Sequence, residues 1–257
     1  MTRISQRAAV APLEVFKVST DISLQTLVGA KFDTSDGREF QLVQNAGTAL
    51  ASGKLVMGPK PIANHQNLTT STAAVGATQV TVTLAGTLAT ANQYQGGYVI
   101  FNAGTGIGQT LKIASHPAGT ANGTVVLTLE DPIQVATAVA DTKSCLRLNP
   151  FGSLNGTDYS TSGVTITDHT ALTGQILGVS IYPIAASTAT VAEYGLIQTR
   201  GLVGLLNDAT TAQGLDIMPS ANTDGAVQTF VAATATRVGV STQAGVTTEV
   251  RQVNIQL

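Results

Sequence analysis

Three histidines, one cysteine and a thin supply of carboxylates are the residues of this 257-residue chain that could do chemistry. His65, His116 and His169 lie at none of the short spacings expected of paired metal ligands. Asp168 and His169 are adjacent, so in a strand their side chains would face opposite ways. His116 precedes Pro117 and reads as a loop residue. No Gly-x-Ser-x-Gly elbow is present to supply a nucleophile. Cys145 falls in a predicted strand, Lys143–Leu148, on the face of Lys143 and Arg147. Those cations could lower a thiol pKa, but no His or Asn partner is evident, and the residue reads as an inert small side chain. The glycines Gly104, Gly106 and Gly108 lack the lysine of a phosphate-binding loop and precede a strand-like segment, which predicts a turn. Asp33–Glu39 has the air of a calcium loop, but Gly37 comes one position early and Gln44 stands where the closing Glu belongs. A hairpin is predicted there instead. No catalytic, cofactor-binding or metal-ligating residue and no cofactor is assigned, and the chain is not expected to be an enzyme.

The elements that would carry such residues are β in character. Charged residues make up 11% of the chain and aromatic ones 4%, with no Trp, 26 Gly and 38 Thr. The apolar share of 43% excludes compositional disorder. A net charge of −2 with 13 Lys and Arg predicts no nucleic-acid partner. A single Cys excludes an internal disulfide framework. No apolar run approaches a membrane span, which predicts no membrane partner. No hydrophobic stretch follows Met1–Arg7, which predicts no signal peptide. Period-two alternation marks strands at Gln79–Leu84, Tyr98–Phe101, Gln109–Ile113, Thr124–Leu129, Val164–Thr167 and Val250–Leu257. Asp36-Gly37, Asn122-Gly123, Asn155-Gly156 and Asp224-Gly225 supply turn chemistry. The best helical candidate, Leu196–Leu206, is interrupted by Gly201 and Gly204. The expected class is all-β, with two β-barrel or sandwich-like domains and an extended N-terminal arm.

Charge distribution suggests the boundaries. Residues 1–60 hold seven of the 13 basic residues, whereas 61–140 hold only Lys112, Glu130 and Asp131. The expected plan is an arm over 1–35, the first strands of a main barrel over 36–62, an inserted Thr/Gly-rich β-domain over 63–142 and the rest of the main barrel over 143–257. In the arm, Arg3, Arg7 and Lys17 are interspersed with apolar residues, and Leu13–Val18 can form a strand. Arg3, Arg7, Leu13, Val15, Phe16 and Lys17 are therefore the expected contacts with a neighbouring subunit or partner.

That partner is suggested by resemblance. Asp36–Phe40, Gly47–Leu50 and Gly53–Val56 resemble the opening of tailed-bacteriophage capsid decoration (cement) proteins. So do Ala91–Ile100, Gly106–Ile113, Thr128–Pro132, Glu193–Gly201, Gly225–Val227 and Val238–Val240. The resemblance covers most of the chain from about residue 36. It implies a structural virion protein, assembled in the host cytoplasm, that binds the outer capsid surface and stabilises contacts between major capsid protein subunits. It implies a homo-oligomer, trimer before dimer, because closed rings match lattice axes. Gln198–Gly201 would then lie in a barrel strand. The alternative is a head-fibre or tail-fibre component binding host surface glycans.

Overall fold

The computed structural model describes residues 8–9, 18–139, 141–152, 154, 159–170, 174–231 and 236–257. The protein is nearly all β, with 41% strand and 4% helix. It divides into two compact units, one over residues 60–157 and one from the chain on either side of it.

The discontinuous unit opens with β1 (Ala8–Ala9), β2 (Lys31–Asp33), β3 (Glu39–Gln44) and β4 (Lys54–Met57). The inserted unit carries β5 (Leu68–Thr70), β6 (Gln79–Thr83), β7 (Tyr98–Ala103), β8 (Thr110–Ser115), β9 (Thr124–Leu129) and β10 (Lys143–Arg147). The chain then returns through β11 (Thr165–Ile166), β12 (Ile176–Ser180), β13 (Tyr194–Leu206), β14 (Asp216–Pro219), β15 (Val227–Thr229), β16 (Gly239–Ser241) and β17 (Val250–Gln256).

The inserted unit is a closed barrel in the order β10-β5-β6-β9-β8-β7. Its strands form because hydroxyl-bearing or charged residues alternate with Val, Leu and Ile. In β9 the inward Val125, Leu127 and Leu129 are buried while Thr124 and Val126 face out. Val80, Val82, Phe101, Ile113 and Leu146 join them in one core. Closure leaves no strand edge unpaired, so a charge-poor chain avoids edge-to-edge association. The strand Lys143–Arg147 belongs to this barrel, not to the resumed main domain expected from sequence. It is the strand that closes the ring, paired with β7 and β5.

The discontinuous unit is a curled sheet along β1-β2-β3-β13-β17-β16-β14-β15, with β12, β4 and β11 branching from β13. The segment Leu196–Leu206 is a strand. β13 pairs with β3 over Tyr194–Arg200 and with β17 over Arg200–Leu206. Gly201, at φ +92°, permits the irregularity where the partners change. The Gln198 amide donates to the Arg200 and Leu202 carbonyls, each at 2.9 Å, and stitches that bend together.

The described part of the expected arm is not a free arm but part of the discontinuous unit, with Ala8–Ala9 and Lys31–Asp33 paired as strands of its sheet. Ser19 bridges to Tyr194, and a short 3-10 helix spans Ile22–Leu27, capped by the Asp21 carboxylate. Leu24, Val28 and Phe32 pack on the cluster of Phe40, Tyr194 and Leu196. Apolar side chains at those positions bury themselves at once against the sheet. Arg3, Arg7, Leu13, Val15, Phe16 and Lys17 lie outside the described residues, as does the Asn155-Gly156 turn.

Candidate functional site

The strands of the barrel place its loops at two ends. The chain enters at Leu68 and leaves at Arg147, both at one end. The loops over 71–78, 104–109 and 130–142 all lie at the other. At this free end Val75, Ile107, Val135 and Val139 stand 65%, 64%, 52% and 58% exposed. These four exposed aliphatic side chains come from the three loops of one barrel end.

Hydrogen bonds hold the three loops together. Gly104, Gly106 and Gly108 all have positive φ, so the glycine run forms the β7–β8 turn. A side chain at Gly104 would meet the Asp141 carbonyl oxygen at 2.1 Å, so two loops touch through backbone there. The Gln109 side chain accepts from the backbone N–H groups of Gln134 and Val135 and donates to the Val135 carbonyl. Thr142 Oγ1 donates to the Thr105 carbonyl at 2.7 Å, and Thr105 Oγ1 donates to Asp141 at 3.0 Å. The Val139 N–H donates to Thr72 Oγ1 at 3.2 Å. The three loops of this end are thus tied to one another by hydrogen bonds.

The other end of the barrel holds two of the histidines, both structural. His65 is fully buried; its Nε2–H donates to the Thr87 carbonyl at 2.9 Å and its Nδ1 accepts from the Tyr94 hydroxyl. His116 is buried too. Its Nδ1–H donates to the Pro117 carbonyl at 2.8 Å, and its Nε2 accepts from the Tyr94 N–H at 2.9 Å. The backbone N–H at Nε2 fixes His116 as a neutral imidazole protonated at Nδ1. Burial pushes the His116 pKa down and the Tyr94 pKa up. The expectation of a loop position for His116 thus needs one addition: the loop folds inward, and the ring satisfies backbone groups around Tyr94.

His169 behaves differently. It lies beyond the end of β11, where the chain bends, so Asp168 and His169 are not held on opposite faces. Their ligand atoms and an Asp224 oxygen all lie within 4.8 Å of one another at the surface. His169 Nδ1 is 2.7 Å from Asp224 Oδ1, and the His169 N–H donates to the same oxygen at 2.9 Å. These bonds hold the Asp224 carboxyl below its ordinary range. Lys54 Nζ donates to the Asp224 carbonyl at 2.7 Å. Asp208 accepts from Ser220, Thr223 and Asn222. Two carboxylates and an imidazole are a donor set that a divalent cation accepts, and they equally make a surface ion pair with a proton between them.

The remaining candidates fall out as turns and strands. Asp33–Glu39 is the β2–β3 hairpin, its Gly37 at φ +83° and its Asp36 accepting from Thr34 and Arg38. Cys145 lies half-buried on β10, where it accepts weakly from the Asn67 N–H at 3.5 Å. Among the described residues no helix is long and apolar enough to cross a membrane.

No protein-family model, curated protein or solved structure matches the chain. The fold and its surfaces therefore carry the functional reading.

Proposed function

We propose that the chain is a structural protein of a tailed-phage virion, bound to the outer surface of the head, where it bridges neighbouring major capsid protein subunits. The observation that carries this reading is the free end of the inserted barrel. Val75, Ile107, Val135 and Val139 project there from loops fixed by hydrogen bonds, as a protein-docking surface requires. Of the residues that carry the resemblance, Asp36-Gly37 and Gly106–Gly108 lie in turns and Gln198–Gly201 at the bend of β13. A small apolar contact repeated over many lattice positions gives high avidity from individually weak contacts. A homo-oligomer, trimer before dimer, would match the local lattice axes. Residues 1–17, with Arg3, Arg7, Leu13, Val15, Phe16 and Lys17, are proposed as a second attachment.

The alternative, a fibre component that binds host glycans, is less well supported by the same surface. Sugars stack on aromatic faces, and the four exposed side chains at this end are aliphatic.

Co-sedimentation of the full chain with expanded heads lacking it tests the proposal. The chain is expected to saturate at a fixed simple ratio to the major capsid protein. Ile107→Asp and Val139→Asp should each fold normally and bind at least tenfold more weakly. Failure of the full chain to sediment with heads would refute the proposal. Undiminished binding of both variants would move the contact away from this end.

A further inference from the structure

Arg251 is the largest fully buried side chain in the protein, at 1% exposure. It sits on β17 with Val253 and Ile255, on the face that builds the core with Leu205, Ile217 and Val227. Its backbone partner across the ladder is Leu205. A Cβ placed on Gly245 would lie 3.1 Å from Arg251 Cδ and 3.4 Å from Asn207 Nδ2, so the turn over 242–249 closes tightly over the arginine stem. Around the stem, Asn207 Nδ2 donates to the Ala209 and Val246 carbonyls, the Thr211 hydroxyl lies within reach of Asn207 Oδ1 and the Ala209 carbonyl, and Ser241 Oγ donates to the Gln243 carbonyl. Among the described residues no group accepts from Nε, Nη1 or Nη2 of Arg251.

A guanidinium keeps its proton under all ordinary conditions and presents five N–H donors. A buried charge needs both hydrogen-bond acceptors and a compensating charge. Water would supply the first and not the second. We infer that Arg251 is the binding residue of an internal site for a small monovalent inorganic anion of the halide class, enclosed beneath the turn over 242–249. The burial of all three guanidinium nitrogens favours a monatomic ion over a bulky oxyanion. The inference is independent of the capsid reading.

Thermal and urea unfolding of the full chain in chloride, with gluconate replacing it at constant ionic strength, measures the linkage. Above saturation, each tenfold rise in chloride should raise the folding equilibrium constant tenfold. Arg251→Met, which keeps the apolar bulk and removes the charge, should show no such dependence. An equal chloride response in both proteins would overturn the inference. Should Arg251→Met fail to fold, crystals of the unaltered chain grown in bromide decide the matter. An anomalous peak within hydrogen-bond distance of the Arg251 guanidinium supports the site, and water alone at that position refutes it.

Discussion

Replacing Gly97 by alanine is expected to open the inserted barrel at its seam. Gly97 immediately precedes β7, and a Cβ there would lie 2.1 Å from the Arg147 carbonyl oxygen and 3.0 Å from the Asn149 nitrogen. Those atoms are backbone, so no side-chain rotation relieves the clash. Gly97 is itself tied on both sides: its N–H donates to the Tyr94 carbonyl and its carbonyl accepts from Ile113, each at 2.9 Å. The strand leaving β10 must therefore retreat by about 1 Å to restore an ordinary contact. Tyr98 and Arg147 form the last pair of the β7–β10 ladder that closes the ring. Overpacking of this kind costs about 1–3 kcal/mol, and each hydrogen bond lost from the ladder adds about 1 kcal/mol, for a total near 3 kcal/mol. Gly86→Ala is the control. Its Cβ would meet only Asn64 Nδ2, at 3.6 Å, and its φ is not positive, so the change should be neutral or stabilising by about 0.5 kcal/mol. Urea unfolding followed by far-ultraviolet circular dichroism gives the magnitudes. Hydrogen exchange read by mass spectrometry should place the loss of protection within residues 60–157. Equal stability of Gly97→Ala and the unaltered chain, or equal destabilisation by both alanines, would refute the reasoning.

Burial holds the His116 pKa below its ordinary 6.5, so between the folded value and 6.5 the unfolded chain binds a proton that the folded chain refuses. Stability should therefore fall as pH drops below about 6.5, at most about 1.4 kcal/mol per pH unit, and level off beneath the folded pKa. His116→Gln should remove that part of the slope between pH 6.5 and 5; an unchanged slope in the urea midpoints would contradict the assignment. Thr248→Gly relieves a β-branched residue at φ +71° while keeping its N–H bond to the Asn207 carbonyl, and should stabilise by about 1 kcal/mol despite the added freedom of the unfolded chain. A lower melting temperature for that variant would show the turn to be unstrained. Removing residues 1–17 takes away the two-residue edge strand Ala8–Ala9 but should leave the rest of the sheet folded, because the packing of Leu24, Val28 and Phe32 is kept, and should weaken attachment to heads; unaltered attachment would exclude those residues as a contact.

The barrel strands were legible because one face of each meets water and the other does not. Thr124–Leu129 and Gln79–Leu84 alternate for that reason, and the structure buries the expected residues. The turns at Asp36-Gly37, Asn122-Gly123 and Asp224-Gly225 were equally local, set by the need for positive φ. β3 carries no such signal: five of its six residues are buried, Gln41 and Gln44 among them. The allegiance of Lys143–Arg147 was hidden for a different reason. Its pattern identifies a strand but not which sheet it completes, since its partners Leu68–Thr69 and Tyr98–Ala103 are distant in sequence. The two convergences of polar side chains were invisible on the same ground. His65 meets Tyr94 across 29 residues and His169 meets Asp224 across 55, and neither spacing is a motif. Arg251 lies on the inward face of the alternating strand Val250–Gln256 with Val253 and Ile255, a position where alternation alone predicts an apolar residue. The exposed valines of the free barrel end could have been found as apolar residues in Gly/Thr-rich turns, once the turns themselves were placed.

The number of copies of this chain in a purified virion, measured by quantitative mass spectrometry against the major capsid protein, tests the central proposal most directly. A ratio near one to one, or another simple lattice fraction, is predicted. A handful of copies per particle would contradict a lattice-wide coat and favour a fibre or vertex component, and absence from particles would refute the virion assignment altogether.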